Sequence, residues 1–317
     1  MKIMMTGGLG FIGHHLSQHL SHLGHQVSII DNKTNYNVID AAEVDRLISQ
    51  RLNNIPKDVV IYRADLNHLS DFSSIFNVNH YDVVIHLASF PRQKTVEKNP
   101  ALAARTMIES TVNVLSKSIH AKRFIFISSS MVYGDFSGSV NEESPCNPKG
   151  QYGIFKLAGE NLVKDWSRNT GIPYTIIRPS AVYGINDISD RLVPKFLSSA
   201  IANKTLNVNG KDELIDFTYV DDLIDGIKLA MESENAENQT FNLTRGSART
   251  IYDAANISVG LASSGNISVN HKDSSYPSRG TLNISKAQSL LGYVPKVDIE
   301  YGFKKIFNLI INEKLYR

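Results

Sequence analysis

Apolar residues fall along the chain in short β-branched and aromatic runs, separated by stretches long enough for helices. Residues 2–5, Lys-Ile-Met-Met, read as a short buried strand, and Ile12, Leu16, Leu20 and Leu23 then recur at helical spacing. A second strand, Val27-Ser28-Ile29-Ile30, ends in Asp31. The runs Val59-Val60-Ile61-Tyr62, Val83-Val84-Ile85-His86-Leu87, Phe124-Ile125-Phe126-Ile127 and Tyr174-Thr175-Ile176-Ile177 follow. Such runs, alternating with helix-length segments, are what a parallel sheet covered on both faces requires, so the pattern predicts an α/β, doubly wound sheet. After Arg178-Pro179 the alternation loosens into short helices, loops and one isolated run, Thr240-Phe241-Asn242-Leu243. The expectation is one domain over residues 1–178, completed by a returning strand near 240–244, and a smaller C-terminal domain, mainly 179–317, that binds the substrate. It would lie over the carboxyl ends of the strands, where open α/β sheets hold ligands.

The turn after the first strand reads Thr6-Gly7-Gly8-Leu9-Gly10-Phe11-Ile12-Gly13. Gly7 permits a tight turn, Gly10 lets backbone approach a pyrophosphate, and Gly13 lets helix and strand pack closely. The following helix would offer unpaired N–H groups and its positive dipole end to the phosphates. Asp31, at the end of the second strand, suits the hydroxyls of an adenosine ribose and repels a 2′-phosphate, which selects NAD over NADP. Lys33 nearby is the one residue that would favour NADP. The sheet is accordingly read as a Rossmann-type, NAD-binding fold.

Composition narrows the class further. A chain of 317 residues with a formal net charge of +2 has room for a large core, and nothing marks it for nucleic acid. The single cysteine, Cys146, can form no intrachain disulfide, which fits a reducing compartment. No apolar run reaches membrane-spanning length and the N-terminus enters a strand directly, so the expectation is a cytoplasmic protein without membrane contact.

Candidate chemistry centres on Tyr152 and Lys156, which helical spacing places one turn apart on one face. A nearby cation lowers a phenol's pKa toward the range where it accepts a proton from an alcohol. The strand ending at Ile127 runs into Ser128-Ser129-Ser130-Met131-Val132-Tyr133-Gly134, so hydroxyls stand at the mouth of the crevice.

These elements form part of a longer ordered set. The glycine turn, Asp31, Ala64-Asp65-Leu66, His86-Leu87-Ala88-Ser89, the Ser-Ser-Ser-Met-Val-Tyr-Gly run, Tyr152 with Lys156, Arg178-Pro179-Ser180-Ala181-Val182-Tyr183-Gly184, Asp216-Phe217-Thr218-Tyr219-Val220-Asp221-Asp222 and Leu291-Gly292-Tyr293 with Pro295 together resemble the extended short-chain dehydrogenase/reductases. Among these the chain is similar to the nucleotide-sugar epimerases and dehydratases. The resemblance implies that Tyr152 acts as base toward a sugar hydroxyl, that Lys156 holds the nicotinamide ribose and keeps the tyrosine's pKa low, and that Ser129, with Ser130 as fallback, bonds the reacting oxygen. It implies cofactor contacts from Gly7, Gly10, Phe11, Ile12, Gly13, Asp31, Asn32, Asp65, Leu66, Leu87, Ala88, Ser89, Tyr152, Lys156 and Pro179. It also implies a homodimer, formed through the helix bearing Tyr152 and the helix before it.

Departures from the family discriminate among its reactions. The 4,6-dehydratases carry Asp-Glu immediately before Val-Tyr-Gly, where this chain has Ser130 and Met131, neither able to do that acid–base work at neutral pH. The decarboxylases of UDP-glucuronate place a glutamate at the Met131 position. The deoxysugar epimerase-reductases place a cysteine there with a histidine downstream; here the nearest downstream candidate is Arg191. A 4-epimerase needs none of these groups. The reading is therefore NAD-dependent 4-epimerisation of a nucleotide-diphosphate hexose through a transient 4-keto sugar. A keto-sugar reductase, an epimerase at another carbon, a 4,6-dehydratase and a non-catalytic NAD-binding protein are the alternatives. The arginine that holds the diphosphate in UDP-galactose 4-epimerases is replaced by Ile215, so Arg279, Arg191 and Arg92, with Ser129, Ser130 and Ser180, are the expected substrate contacts. His15, His19 and His22 share a helix face at metal-binding spacings, but on the flank of a helix with a buried leucine stripe and without a carboxylate or cysteine to complete a set. They are read as surface or interface residues, and no metal is expected.

Overall fold

In the computed structural model, which describes residues 1–34, 36 and 40–313, seven strands form one sheet. They are β1 (Lys2–Thr6), β2 (Gln26–Asp31), β3 (Val60–Arg63), β4 (Val83–His86), β5 (Arg123–Ile127), β6 (Tyr174–Arg178) and β7 (Gln239–Asn242). Their spatial order is β7-β6-β5-β4-β1-β2-β3 and every neighbouring pair is parallel. The order reverses between β1 and β4, the position at which a doubly wound sheet opens a crevice beyond its carboxyl ends.

Side-chain alternation shows why both faces are covered. Ile3, Met5, Ile29, Ile85 and Ile125 enter one apolar cluster, while their neighbours Met4, Ile30, Val84, Phe124 and Phe126 enter another. All five residues of β5 are buried, whereas β3, at the sheet edge, exposes both its ends. The first helix, Phe11–His22, buries Leu16 and Leu20 on the first cluster. Leu23 departs from the expected stripe: it caps the helix and is 49% exposed. Burying each such aliphatic side chain is worth about 2 kcal/mol, so the inner positions of the stripe hold the helix down without Leu23.

The connection from β4 to β5 is broken into Gln93–Lys98, Pro100–Ala104, a π turn over Arg105–Glu109, and Ser110–Lys117. Here Ser110 and Thr111 return their hydroxyls to the carbonyls of Thr106 and Met107, competing with regular helix bonding. The connection from β5 to β6 carries the long helix Gln151–Thr170.

Past β6 the described residues make three small two-stranded pairings among themselves and a fourth, Thr281–Leu282, with Ser139–Val140 from before β6. Two buried acids organise this part. Asp216 accepts bonds from Thr244 Oγ1, Gly246 N and Leu282 N, and Asp222 accepts from the amides of Lys296 and Val297. Burial raises the Asp216 pKa to about 6, against the pull of its hydrogen-bond donors. No helix among the described residues is long and apolar enough to cross a membrane.

The sheet is tied to the long helix by a buried ion pair, Arg178 at the end of β6 with Glu160, at 2.7 and 2.9 Å. Glu160→Gln leaves the guanidinium buried and uncompensated, so urea unfolding should show a loss of about 3–5 kcal/mol. A loss below about 1 kcal/mol would mean that the pair does not hold the helix.

Candidate active site

The carboxyl end of β1 sets the first wall. Gly7 has a φ of +70°, and a side chain there would press to within 2.7 Å of the Ala88 backbone. A Cβ on Gly13 would sit 2.6 Å from the Gly7 carbonyl, so the first helix packs directly on the turn. Gly10 differs: its Cβ would meet only that carbonyl, at 3.1 Å, and the missing side chain leaves backbone open toward the crevice. The helix after it has no side-chain cap and no acid in its first turn, which leaves the positive dipole end for an anion. Asp31 accepts bonds from the amides of Leu9 (3.0 Å) and Lys33 (2.7 Å), so it also braces the glycine turn. Burial pushes its carboxyl pKa up, while those two donors and Arg51 pull it back.

These groups open on a cleft of about 360 Å³. Its walls include each residue that the sequence assigned to the cofactor: Gly7 and Gly10 to Gly13 at one end, Asp31, Asn32, Asp65 and Leu66 beside them, Leu87 to Ser89 at the end of β4, and Tyr152, Lys156 and Pro179 at the far end. An open glycine edge, a free helix N-terminus and a carboxylate beyond β2 are the donor and acceptor set that a dinucleotide requires, so the residues fit NAD.

The long helix brings Tyr152 and Lys156 to the far end with Ser129. Ser129 accepts from the Met131 amide at 3.2 Å, and its hydroxyl is near enough to the Tyr152 phenol to draw the phenol's pKa down. Lys156 is 5% exposed and donates to the Ile127 carbonyl at 2.7 Å. Burial lowers its pKa to about 7, with Glu160 one turn along opposing the shift. The structure corrects one expectation here. Burial raises the Tyr152 pKa above its ordinary value, and the groups that draw it back are Arg191 and Ser129; the Lys156 ammonium, 6.0 Å from the ring centre, makes no comparable contribution. Below them His86 is held neutral, its pKa lowered to about 3 first by burial and then by Lys156. It bonds Thr6 at 2.7 Å and Thr111 at 3.1 Å, which fastens β4 to β1 and to the helix behind.

The residues expected on the substrate side divide. Ser129 and Arg191 line the cleft, whereas Ser130, Ser180, Arg92 and Arg279 are not in its wall. Ser130 and Ser180 are buried, at 2% exposure each, because the Ser130 amide bonds the Pro179 carbonyl and draws the two turns together. Arg92 turns to Asp190 at 3.0 Å. Arg279 sits near Tyr276 and Glu213, with its Nε buried and without a hydrogen-bond partner. Met131 is buried beneath Gly153, and Ile215 pairs with Arg249, whose guanidinium is taken by Glu300 and Asp253. The histidines face the helix Val220–Glu232: His15 bonds the Ile185 carbonyl at 2.9 Å and His19 lies 4.0 Å from Asp225. Carboxylates do lie opposite, yet no group of three potential ligands among the described residues could hold a metal ion.

Sequence reasoning missed several wall residues. Arg51 reaches across from the helix Ala41–Asn54 to the carbonyls of Leu9 and Asn186, and Thr106 and Ser110 enter the wall from the π turn. Asp187 and Ile188 enter from the segment before Arg191. A polar residue at a buried position of a helix stripe was the only available signal for Arg51; the others depend on contacts between distant segments.

Residues 3–244 match the model of the NAD dependent epimerase/dehydratase family. A Methanocaldococcus jannaschii protein assigned as a UDP-glucose 4-epimerase is 29% identical, over 98% of each chain. The UDP-glucuronic acid 4-epimerase of Bacillus cereus, solved with UDP-glucuronic acid and NAD, superposes with a TM-score of 0.90 at 30% identity over the whole of both chains. The UDP-glucose 4-epimerase of Thermotoga maritima, solved with UDP-glucose, gives 0.89 at 25% identity over 99% of this chain and all of the other.

The position of Lys156 carries a stability signature. Unfolded, it holds its proton up to the ordinary 10.5; folded, it releases it at about 7. Folding expels a proton in that window, so the apo protein should lose stability as pH falls from 10.5 to 7, and lose no more below that. Lys156→Met removes this proton release. Urea unfolding should show the variant gaining on the wild type between about pH 9 and about pH 7, by up to several kcal/mol, on the order of 3. A pH-independent difference would show that the ammonium is not desolvated.

Proposed function

The chain belongs to the NAD dependent epimerase/dehydratase family, and we propose that it inverts the C4 configuration of a UDP-linked hexose or hexuronic acid, with Ser129, Tyr152 and Lys156 as its catalytic set. Its cofactor is NAD, which when bound supplies a hydride acceptor and returns the same hydride. The observation that carries the choice of reaction is the set of side chains around Tyr152: a phenol, a hydroxyl and two cations, with Ser130 and Met131 buried where an acid–base pair for dehydration would stand.

The residues divide the work. The Tyr152 phenolate takes the proton of the C4 hydroxyl and later returns it to the oxygen of the inverted carbon. Ser129 hydrogen-bonds that oxygen and holds it against the phenol. Arg191 draws the phenol's pKa down, which offsets the cost of burying it. Lys156, one turn along on the same helix face, would hold the nicotinamide ribose, and Asp31 the adenosine ribose. Arg279, whose Nε has no hydrogen-bond partner, is the cation we assign to the diphosphate in place of the arginine absent at Ile215. UDP-sugars in the crystals of the B. cereus and T. maritima relatives support the choice of nucleotide. The part of the chain after 179, which contributes Arg191, supplies the substrate side, and we place the enzyme in the cytoplasm as a homodimer.

Purified protein given UDP-glucose, UDP-galactose, UDP-glucuronic acid and UDP-galacturonic acid, without added cofactor, should equilibrate at least one 4-epimer pair. Tyr152→Phe should lower kcat by about 10²-fold or more while NAD released on denaturation remains stoichiometric. A keto, dehydrated or reduced product in place of an epimer, or full activity in Tyr152→Phe, would overturn the assignment.

A further inference from the structure

The helix that carries Tyr152 begins without a cap of its own. Its N-cap is Gly150, at φ +82°, with no side chain to accept the first amides and no acid in the first turn. The missing acceptor comes from another element. Gln93, at the start of Gln93–Lys98 and 4% exposed, accepts a hydrogen bond from the Tyr152 amide on its Oε1 at 3.2 Å. That amide is the second of the helix, the one an N-cap side chain ordinarily serves. The opposite end of the Gln93 amide donates to Glu97 Oε1 at 2.6 Å, which fixes the flip of the amide and keeps its oxygen toward Tyr152. Gly150 and Gln93 are mutually required: a Cβ at 150 would fall 1.7 Å from Gln93 Nε2.

The two neighbours of Gln93 both reach the part of the chain beyond β6. Arg92 pairs with Asp190, which adjoins Arg191, at 3.0 Å. Lys94 pairs with Asp273 at 3.2 Å and lies over the Tyr276 ring at 5.4 Å, in the loop that continues to Arg279. Three consecutive residues therefore connect the amide of the catalytic tyrosine to the loops bearing both candidate substrate arginines.

We propose that Gln93 is a positioning residue for Tyr152: it caps the catalytic helix in place of Gly150, and the Arg92–Asp190 and Lys94–Asp273 pairs tie that cap to the substrate loops. The effect on turnover rests on the epimerase reading; the cap itself does not. An N-cap is worth about 1 kcal/mol, and 1–2 kcal/mol is a factor of about 5–30 in a local equilibrium.

The test uses Gln93→Leu and the exchanged pair Gln93→Glu with Glu97→Gln, which keeps an acceptor for the Tyr152 amide and reverses the donor and acceptor at 97. Amide hydrogen exchange of the apo protein over 150–157 should quicken about ten-fold in Gln93→Leu and return toward wild type in the exchanged pair. In turnover, Gln93→Leu should lower kcat about ten-fold with KM near wild type, and the exchanged pair should recover most of it. Unchanged exchange in Gln93→Leu overturns the cap, and faster exchange with unchanged kcat overturns the positioning role. An exchanged pair as impaired as Gln93→Leu overturns the hydrogen bond as the cause. A wild-type protein inactive on all UDP-sugars would count against the epimerase reading, and the exchange data would still decide the cap.

Discussion

The relative placement of Ser129, Tyr152 and Lys156, the proposed catalytic set, depends on one buried ion pair. Arg178 and Glu160 are at most 4% exposed and joined by two hydrogen bonds, and neither is left with an idle polar group. Ser128 donates to Glu160 at 2.6 Å, Arg178 donates to the Tyr133 hydroxyl at 3.0 Å, and that hydroxyl donates to Asn242 at 2.8 Å. The network thus joins the end of β5, the long helix, β6 and β7. Two charges taken from water are tolerable only when their partners are complete, and such completeness fixes a unique arrangement. Ser129 follows Ser128 in the chain and Lys156 lies one helical turn before Glu160, so this network sets how far Ser129 stands from the helix of Tyr152 and Lys156.

Burial then sets the chemistry. The same desolvation moves Lys156 down to about 7 and Tyr152 up, because it disfavours the charged form of each, and it separates two groups whose ordinary values are nearly equal. Neither shift is a product of the pair alone. The Tyr152 phenol answers to Arg191 and Ser129, which come from beyond β6 and from the β5 loop, while Lys156 answers to Glu160 on its own helix. Groups that act on one another from two parts of the chain are sensitive to how those parts are held together, and the Arg92–Lys94 segment is one of the places where they meet, with Arg51 and His15.

The cofactor half was legible in the sequence because each requirement is local. A glycine turn, a helix start and an acid after the second strand fall within the first 31 residues, and their backbone demands are visible one residue at a time. The parallel sheet was legible because central strands buried on both faces lack polar interruptions. The substrate half was not. Arg92, Ser130, Ser180 and Arg279 are polar residues in the expected segments, yet their surroundings depend on contacts between distant segments: Arg92 with Asp190, Ser130 with the Pro179 turn that carries Ser180, and Arg279 with Glu213. Family motifs also concealed structural duties: Asp216 and Asp222 hold backbone amides, and Gln93, an unremarked residue between two charges, serves the helix of Tyr152.

The central claim is that a hydride leaves C4 and returns to C4 inside a closed site. UDP-glucose and UDP-glucuronic acid labelled with deuterium at C4, incubated without added cofactor, test this most directly. The account predicts an epimer that keeps the deuterium at C4, with none lost to water. Deuterium at C6, as a dehydratase would deliver it, or label washed out into solvent or an external nicotinamide, would contradict it.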